Sequence, residues 1–228
     1  MSATQDPVIT SIPDRLFLDL KSAIFDGRIP VGSKLSEPEL AREYEVSRGA
    51  LREAIARLEA CRLVIRKNNL GTRVVSLNQQ QLIEIYHVRE ALEGMAARQA
   101  AIAITEQELQ DLEHLLDQHA NDIEEEVNHA YFQKEGDLDF HYSIVKASHN
   151  GFLFDLLCND LYQLLRLYRY QFGMRSKRAV RAYDEHCNIV DAIKRRDGEM
   201  AEHMMRAHIR ASRENVERML VGKTQNIA

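Results

Sequence analysis

Val46-Ser47-Arg48-Gly49-Ala50-Leu51-Arg52-Glu53-Ala54-Ile55 reads as one amphipathic helix with two arginines on its outer edge. Ser47 suits the N-cap, where its hydroxyl accepts a hydrogen bond from an N–H of the first turn that has no partner within the helix. Leu51, Ala54, Ile55 and Leu58 recur at helical spacing and define a core-facing side. Arg48 and Arg52 stand one turn apart on the opposite side, where a recognition helix makes its base and phosphate contacts. An ordinary surface helix carries arginines too, so the flanking sequence decides between the two readings.

Upstream, Ser36-Glu37-Pro38-Glu39 has the form of a capping box with proline in the first turn, opening a short helix through Tyr44. Glu45-Val46 then supplies the short turn of a helix-turn-helix. Arg15 to Asp26 carries Leu16, Leu20 and Ile24 at intervals of four and closes at Gly27, which suits a supporting first helix. Downstream, Leu63 to Lys67 and Thr72 to Val75 are β-branched runs around the turn-forming Asn68-Asn69-Leu70-Gly71, and a hairpin wing is expected. From Ser47 to Arg73 there are seven Lys or Arg against two acids, while the whole chain is at −5. Phosphate attraction is a local field effect, so this basic stripe on an acidic chain points to nucleic acid.

All four prolines lie in the first 38 residues, and after Asn78 the texture is uniformly helical. Helices are expected at 79–103, 105–129, 131–148, 151–172, 176–196 and 198–220, with a capping box at Thr105-Glu106-Gln107-Glu108 and breaks at Asn150-Gly151, Gly173 and Asp197-Gly198. The expected fold is mainly α: a winged helix-turn-helix domain over 14–76, followed over 79–221 by an antiparallel all-α bundle of about six helices. The stretch from Gly151 to Phe172 is apolar nearly all round, so it is either central in the bundle or shared with a second subunit. A homodimer is expected, because helix-turn-helix proteins commonly read two half-sites about a two-fold axis.

With 45% hydrophobic residues the 228-residue chain can build substantial cores. It has no apolar run near roughly 18 residues and no charged-then-apolar leader, so no membrane partner is expected and a cytoplasmic location is. Cys61, Cys158 and Cys187 are odd in number and far apart, against a disulfide framework or a paired-cysteine zinc site. Neither a phosphate-binding glycine loop nor a nucleophile elbow is present.

Asp137 and His141 are i and i+4 on a helix whose inner side also carries Ile144 and Val145. His186 falls with Tyr183, Ile189, Val190 and Ile193 on an apolar face, and His208 with Ala201, Met204 and Met205 on another. One carboxylate and three imidazoles converging in a bundle would form a site for a divalent first-row metal with open positions for a ligand oxygen. The alternative is inward histidines that merely hydrogen-bond a neighbour. His87, His114, His119, His129, His149 and His203 show no such pattern and are assigned surface or capping roles. Arg89 shares an apolar face with Leu82, Ile85, Leu92 and Ala96, and a buried guanidinium requires a carboxylate. That carboxylate is either an internal Asp or Glu or that of a bound small acid. Arg166 and Arg169 could contribute in the same way, or face solvent.

The head resembles the GntR family of bacterial winged helix-turn-helix regulators in Pro30-Val31-Gly32-Ser33-Lys34-Leu35-Ser36-Glu37, Val46-Ser47-Arg48 and Leu51-Arg52-Glu53-Ala54-Ile55. The body resembles the ligand-binding FCD domain of the FadR-type branch in Arg89-Glu90-Ala91-Leu92-Glu93, Asp137 to His141, Glu185-His186 and Met205-Arg206-Ala207-His208. The resemblance implies that Asp137, His141, His186 and His208 bind a metal, with zinc, nickel or manganese as candidates. It implies that Arg48 and Arg52 contact DNA and that Gly71 is a wing-tip glycine able to enter the minor groove. This chain departs from the pattern at Gly49-Ala50, where family members often carry Thr-Pro or Thr-Thr, and at Pro38, where some carry another DNA-contacting arginine. A full metal set points away from acyl-CoA-binding members and toward those sensing small carboxylates, and the local wording is similar to regulators of propionate and methylcitrate catabolism.

The expectation is a dimeric, sequence-specific DNA-binding regulator, a repressor, that reads a palindromic double-stranded operator and is controlled by a small organic acid. Ser47, Arg48, Gly49, Arg52, Asn69, Gly71 and Arg73 are its expected DNA contacts, and Arg89 its effector contact. The rivals are a metal-dependent hydrolase with an accessory DNA-binding head and a sensor of the metal alone.

Overall fold

Ser11 opens the first helix: its Oγ accepts the Asp14 backbone N–H at 3.3 Å, and Pro13 sits in the first turn where no N–H is needed. In the computed structural model, which describes residues 11–67, 71–76, 78–125, 136–171 and 179–225, this helix (α1) runs Ile12–Phe25, three residues ahead of the Arg15 start expected from hydrophobic spacing. The chain separates into two compact units at Leu77/Asn78.

In the first unit α2 spans Glu37–Glu43 and α3 spans Arg48–Ala60. Leu16, Leu20 and Ile24 of α1 meet Leu51, Ala54, Ile55 and Leu58 of α3 in a buried three-helix core. The expected capping box at Ser36 does not form. Pro38 has no N–H, and the Glu39 N–H, which the Ser36 hydroxyl would have to receive, donates instead to the Ser36 carbonyl at 3.1 Å. Glu45 takes φ +52 in the tight turn between α2 and α3. The wing pairs β1 (Val64–Lys67) with β2 (Gly71–Val74) antiparallel, Val64 opposite Val74. A third extended segment, not foreseen, lies along β2: Leu35 N–H donates to Thr72 O at 2.9 Å and Val74 N–H to Ser33 O at 3.0 Å.

The second unit contains α4 (Gln79–Ala103), α5 (Glu106–Glu125), α6 (Gly136–Ala147), α7 (Gly151–Phe154), α8 (Tyr162–Gln171), α9 (Ala179–Lys194) and α10 (Gly198–Gln225). Asn78 and Gln81 form a reciprocal capping box on α4, and Thr105 with Glu108 forms the expected one on α5. The long α4 and α10 pack side by side, and at Gly94 a Cβ would stand 2.6 Å from Arg206 Cγ. Arg196 ties off α4 by donating to Ile104 O at 2.7 Å.

The fourth expected body helix is divided. Between α7 and α8 the backbone widens into a π-helical stretch, Asp155–Leu161. Its turn carries Leu157 and Cys158 inward, against Ala96 and Val145, and leaves Leu156 exposed. Among the described residues no helix is long and apolar enough to cross a membrane.

Candidate nucleic-acid interface and metal centre

The Ser47 Oγ accepts the Ala50 N–H at 3.2 Å, so α3 begins at Arg48 with the cap expected from its sequence. Arg48, Gly49 and Arg52 are exposed on its outer side. Gly49 has helical backbone, and a Cβ there would meet only Ser47 Oγ at 3.8 Å, so nothing in the fold requires glycine. Arg52 Nε donates to Glu37 Oε2 of α2 at 2.9 Å. Gly71 does need its identity: φ is +74 where the hairpin turns into β2. Arg73 is half-buried and donates to Gly32 O at 3.1 Å, which ties it to the wing's third segment. Asn69 lies outside the described residues. The unit thus presents two cationic side chains on one capped helix, the arrangement that major-groove reading needs.

In the second unit His141 of α6, His186 of α9 and His208 of α10 are all buried, and one ring nitrogen from each lies within 4.8 Å of the others. Spacing within each helix says nothing of the distance between helices; the packing of α6, α9 and α10 around α4 brings the three rings together. His186 Nε2 and His208 Nε2 are 3.3 Å apart. Two nitrogens bound to one zinc-sized ion at about 2.0–2.1 Å lie about 3.3 Å apart at the tetrahedral angle. The spacing fits an ion. Asp137 is one turn before His141 on α6, and its side chain lies outside the described residues.

Two of the three second nitrogens face carboxylates. His141 Nδ1 is 2.7 Å from Glu93 Oε2, and His208 Nδ1 is 2.7 Å from Glu185 Oε2. A neutral imidazole that donates Nδ1–H to a carboxylate carries its lone pair on Nε2, the tautomer that binds metal. The His186 ring stacks on Phe140, centroids 3.9 Å apart, which fixes its plane.

Arg89 finds an internal carboxylate, one of the two partners its position allowed. Its Nε donates to Glu93 Oε1 at 2.5 Å, with Tyr86 and Tyr162 rings flanking the guanidinium. Burial pushes the Glu93 carboxyl up, but Arg89 and His141 outweigh it and hold Glu93 at about 2. Burial lowers and Glu93 raises the Arg89 pKa, and the net shift is upward. Burial, with Glu93 adding to it, drives the Tyr162 hydroxyl well above its ordinary value.

Glu93 and Glu185 lie inside the motifs quoted from the sequence but carry no assigned role there, although each has a signal: Glu93 is i+4 from Arg89, and Glu185 precedes His186. His119, assigned to the surface, is in fact buried on α5. His149 pairs with Glu108 at 3.0 Å, His114 contacts Gln118 at 3.1 Å, and His129 lies outside the described residues.

Comparison with known proteins identifies both units. Residues 13–74 match the family described as "Bacterial regulatory proteins, gntR family", and residues 84–211 match the FCD domain. The chain is 29% identical to the HTH-type transcriptional regulator YdhC of Bacillus subtilis over 214 residues, 93% of this chain and 94% of the relative. It is 28% identical to a probable D-xylose utilization operon transcriptional repressor of Paenarthrobacter nicotinovorans, covering 91% of this chain and 88% of the relative. The solved structure of Escherichia coli McbR/YncC superposes with a TM-score of 0.70 at 21% identity, over 92% of this chain and 99% of that one. The chain belongs to the GntR family, in the FadR-type branch whose second domain is an FCD domain, and it is a DNA-binding transcriptional regulator, not an enzyme.

Proposed function

We propose that this regulator is a dimeric, cytoplasmic repressor whose FCD domain holds a divalent metal ion and, through it, a small carboxylate effector. The observation that carries this reading is the buried triad of His141, His186 and His208, with two of its rings backed by carboxylates. Asp137, one turn before His141, is the fourth ligand, and zinc, nickel and manganese all suit such a nitrogen and oxygen set. The bound ion supplies a Lewis-acidic position for an effector carboxylate oxygen.

The protein's own residues do the rest. The Glu185 carboxylate accepts the Nδ1–H of His208, and the Glu93 carboxylate stands 2.7 Å from Nδ1 of His141; outer partners of this kind orient metal-binding rings. Arg89, expected from its position to meet the effector, is instead buried and paired with Glu93, so its role is to hold that carboxylate beside His141. The three rings themselves are buried, at 2% exposure or less, in a bundle whose interior is apolar at Leu82, Ala96, Leu112 and Ile144.

Repression fits the name of the D-xylose operon relative. A second copy of the chain would cover Val88, Met95 and Ile102, exposed at seven-residue spacing along α4, and Phe152, 86% exposed on α7. In the dimer the two α3 helices address the halves of a palindromic operator, with Arg48 and Arg52 on guanine and phosphate and Ser47, Gly49, Asn69, Gly71 and Arg73 adding contacts. The effector regulates only by binding one arrangement of the heads better than the other.

The test is a thermal-shift series of small carboxylic acids on metal-loaded and chelated protein. An acid that raises Tm only in the loaded form supports the reading. If no acid acts and metal alone releases operator DNA, the ion itself is the signal.

A further inference from the structure

The structure assigns to Glu37 the role of positioning residue for base reading by Arg52. This rests on Arg52 being a base contact, and it concerns how that contact is aimed. Arg52 Nε donates to Glu37 Oε2 at 2.9 Å across the turn between α2 and α3. The arginine side chain remains 67% exposed while the glutamate is only 27% exposed, so the carboxylate is tucked against the protein and the guanidinium stands outward from it.

Guanine is read by two parallel N–H donors on O6 and N7, and a guanidinium can offer them from its Nε/Nη edge or from its two Nη groups. With Nε taken by Glu37, only the Nη end faces outward. The ion pair therefore chooses the reading edge before DNA arrives and removes rotamers that a free arginine would have to give up on binding. The arrangement spans two helices that the helix-turn-helix fold holds rigidly, since both pack on one core.

A carboxylate on a DNA-facing surface repels phosphate, so its presence opposes unspecific binding. Positioning therefore has a signature that a structural role lacks: removing the charge leaves or improves overall affinity while base discrimination falls. A glutamate that only complements the α2 dipole would change thermal stability and leave base preference alone.

The test is selection from a randomised duplex library with the wild type, Arg52→Ala and Glu37→Gln, followed by affinity for the selected site and for unselected duplex. Arg52→Ala identifies the base position that Arg52 reads. At that position Glu37→Gln is expected to lower preference about tenfold, the scale of one bidentate contact, while binding to unselected duplex stays equal or tightens. Wild-type preference at that position in Glu37→Gln overturns the assignment, as does an even loss across all positions. If Arg52→Ala changes no position, the reading of Arg52 as a base contact falls first, and the role of Glu37 with it.

Discussion

Replacing Glu93 by Gln in metal-free protein should cost about 3–5 kcal/mol, because it leaves the Arg89 guanidinium buried without its counter-charge. The magnitude has a second source. Glu93 is held at about 2 against an ordinary 4.5, and at about 1.4 kcal/mol per unit this is about 3 kcal/mol. For a unit of this size the shift in Tm is on the order of 6–20 °C. Arg89→Met is costly for the mirror-image reason. The double variant removes both charges and should cost clearly less than the sum of the two, since an apolar replacement of a buried pair is often near neutral. Because the folded-state value of Glu93 lies below its ordinary one, its stabilisation is complete above pH 4.5 and is lost as pH falls toward 2, so the gap between wild type and Glu93→Gln should close over that window. Urea denaturation of the four proteins at pH 7 and at pH 3 measures all of this. Additive costs in the double variant, or a Glu93→Gln cost under about 1 kcal/mol, would mean that Arg89 does not depend on Glu93 for its counter-charge.

Glu185→Gln should weaken metal binding about 10–100-fold with little change in stability, because it removes the anchor of His208 Nδ1 from a partly exposed position. Competition with a chromophoric chelator reads it, and unchanged affinity would remove Glu185 from the site. Gly49→Ala should raise stability by about 0.5–1 kcal/mol, since the helical backbone gains propensity and the new Cβ meets nothing closer than 3.8 Å. A fall in Tm would show that the fold does need glycine there.

Local features were the ones legible in the sequence. Ser47, Leu51, Ala54, Ile55 and Leu58 are set by spacing within one helix, and the Thr105/Glu108 capping box by four adjacent residues. The Ser36 box has the same wording and fails because Pro38 rearranges the first-turn hydrogen bonds, a contest between neighbours that a pattern does not decide. The π-helical stretch follows from packing of Leu157 and Cys158 on α4 and α6, which no periodicity within Gly151–Phe172 announces. In the histidine cluster the inward residues were readable one helix at a time. Their partners were not, because Glu185 meets His208 and Glu93 meets His141 only once separate helices are packed.

The claim on which the regulatory account turns is that His141, His186 and His208 hold an ion. Elemental analysis of the protein purified without added chelator, beside His186→Ala and a control at the exposed His87, tests it directly. The wild type and the His87 control should each carry a single zinc, nickel or manganese ion per chain, and His186→Ala should lose it. Equal stoichiometric metal in the wild type and His186→Ala, or none in the wild type after loading, would contradict it.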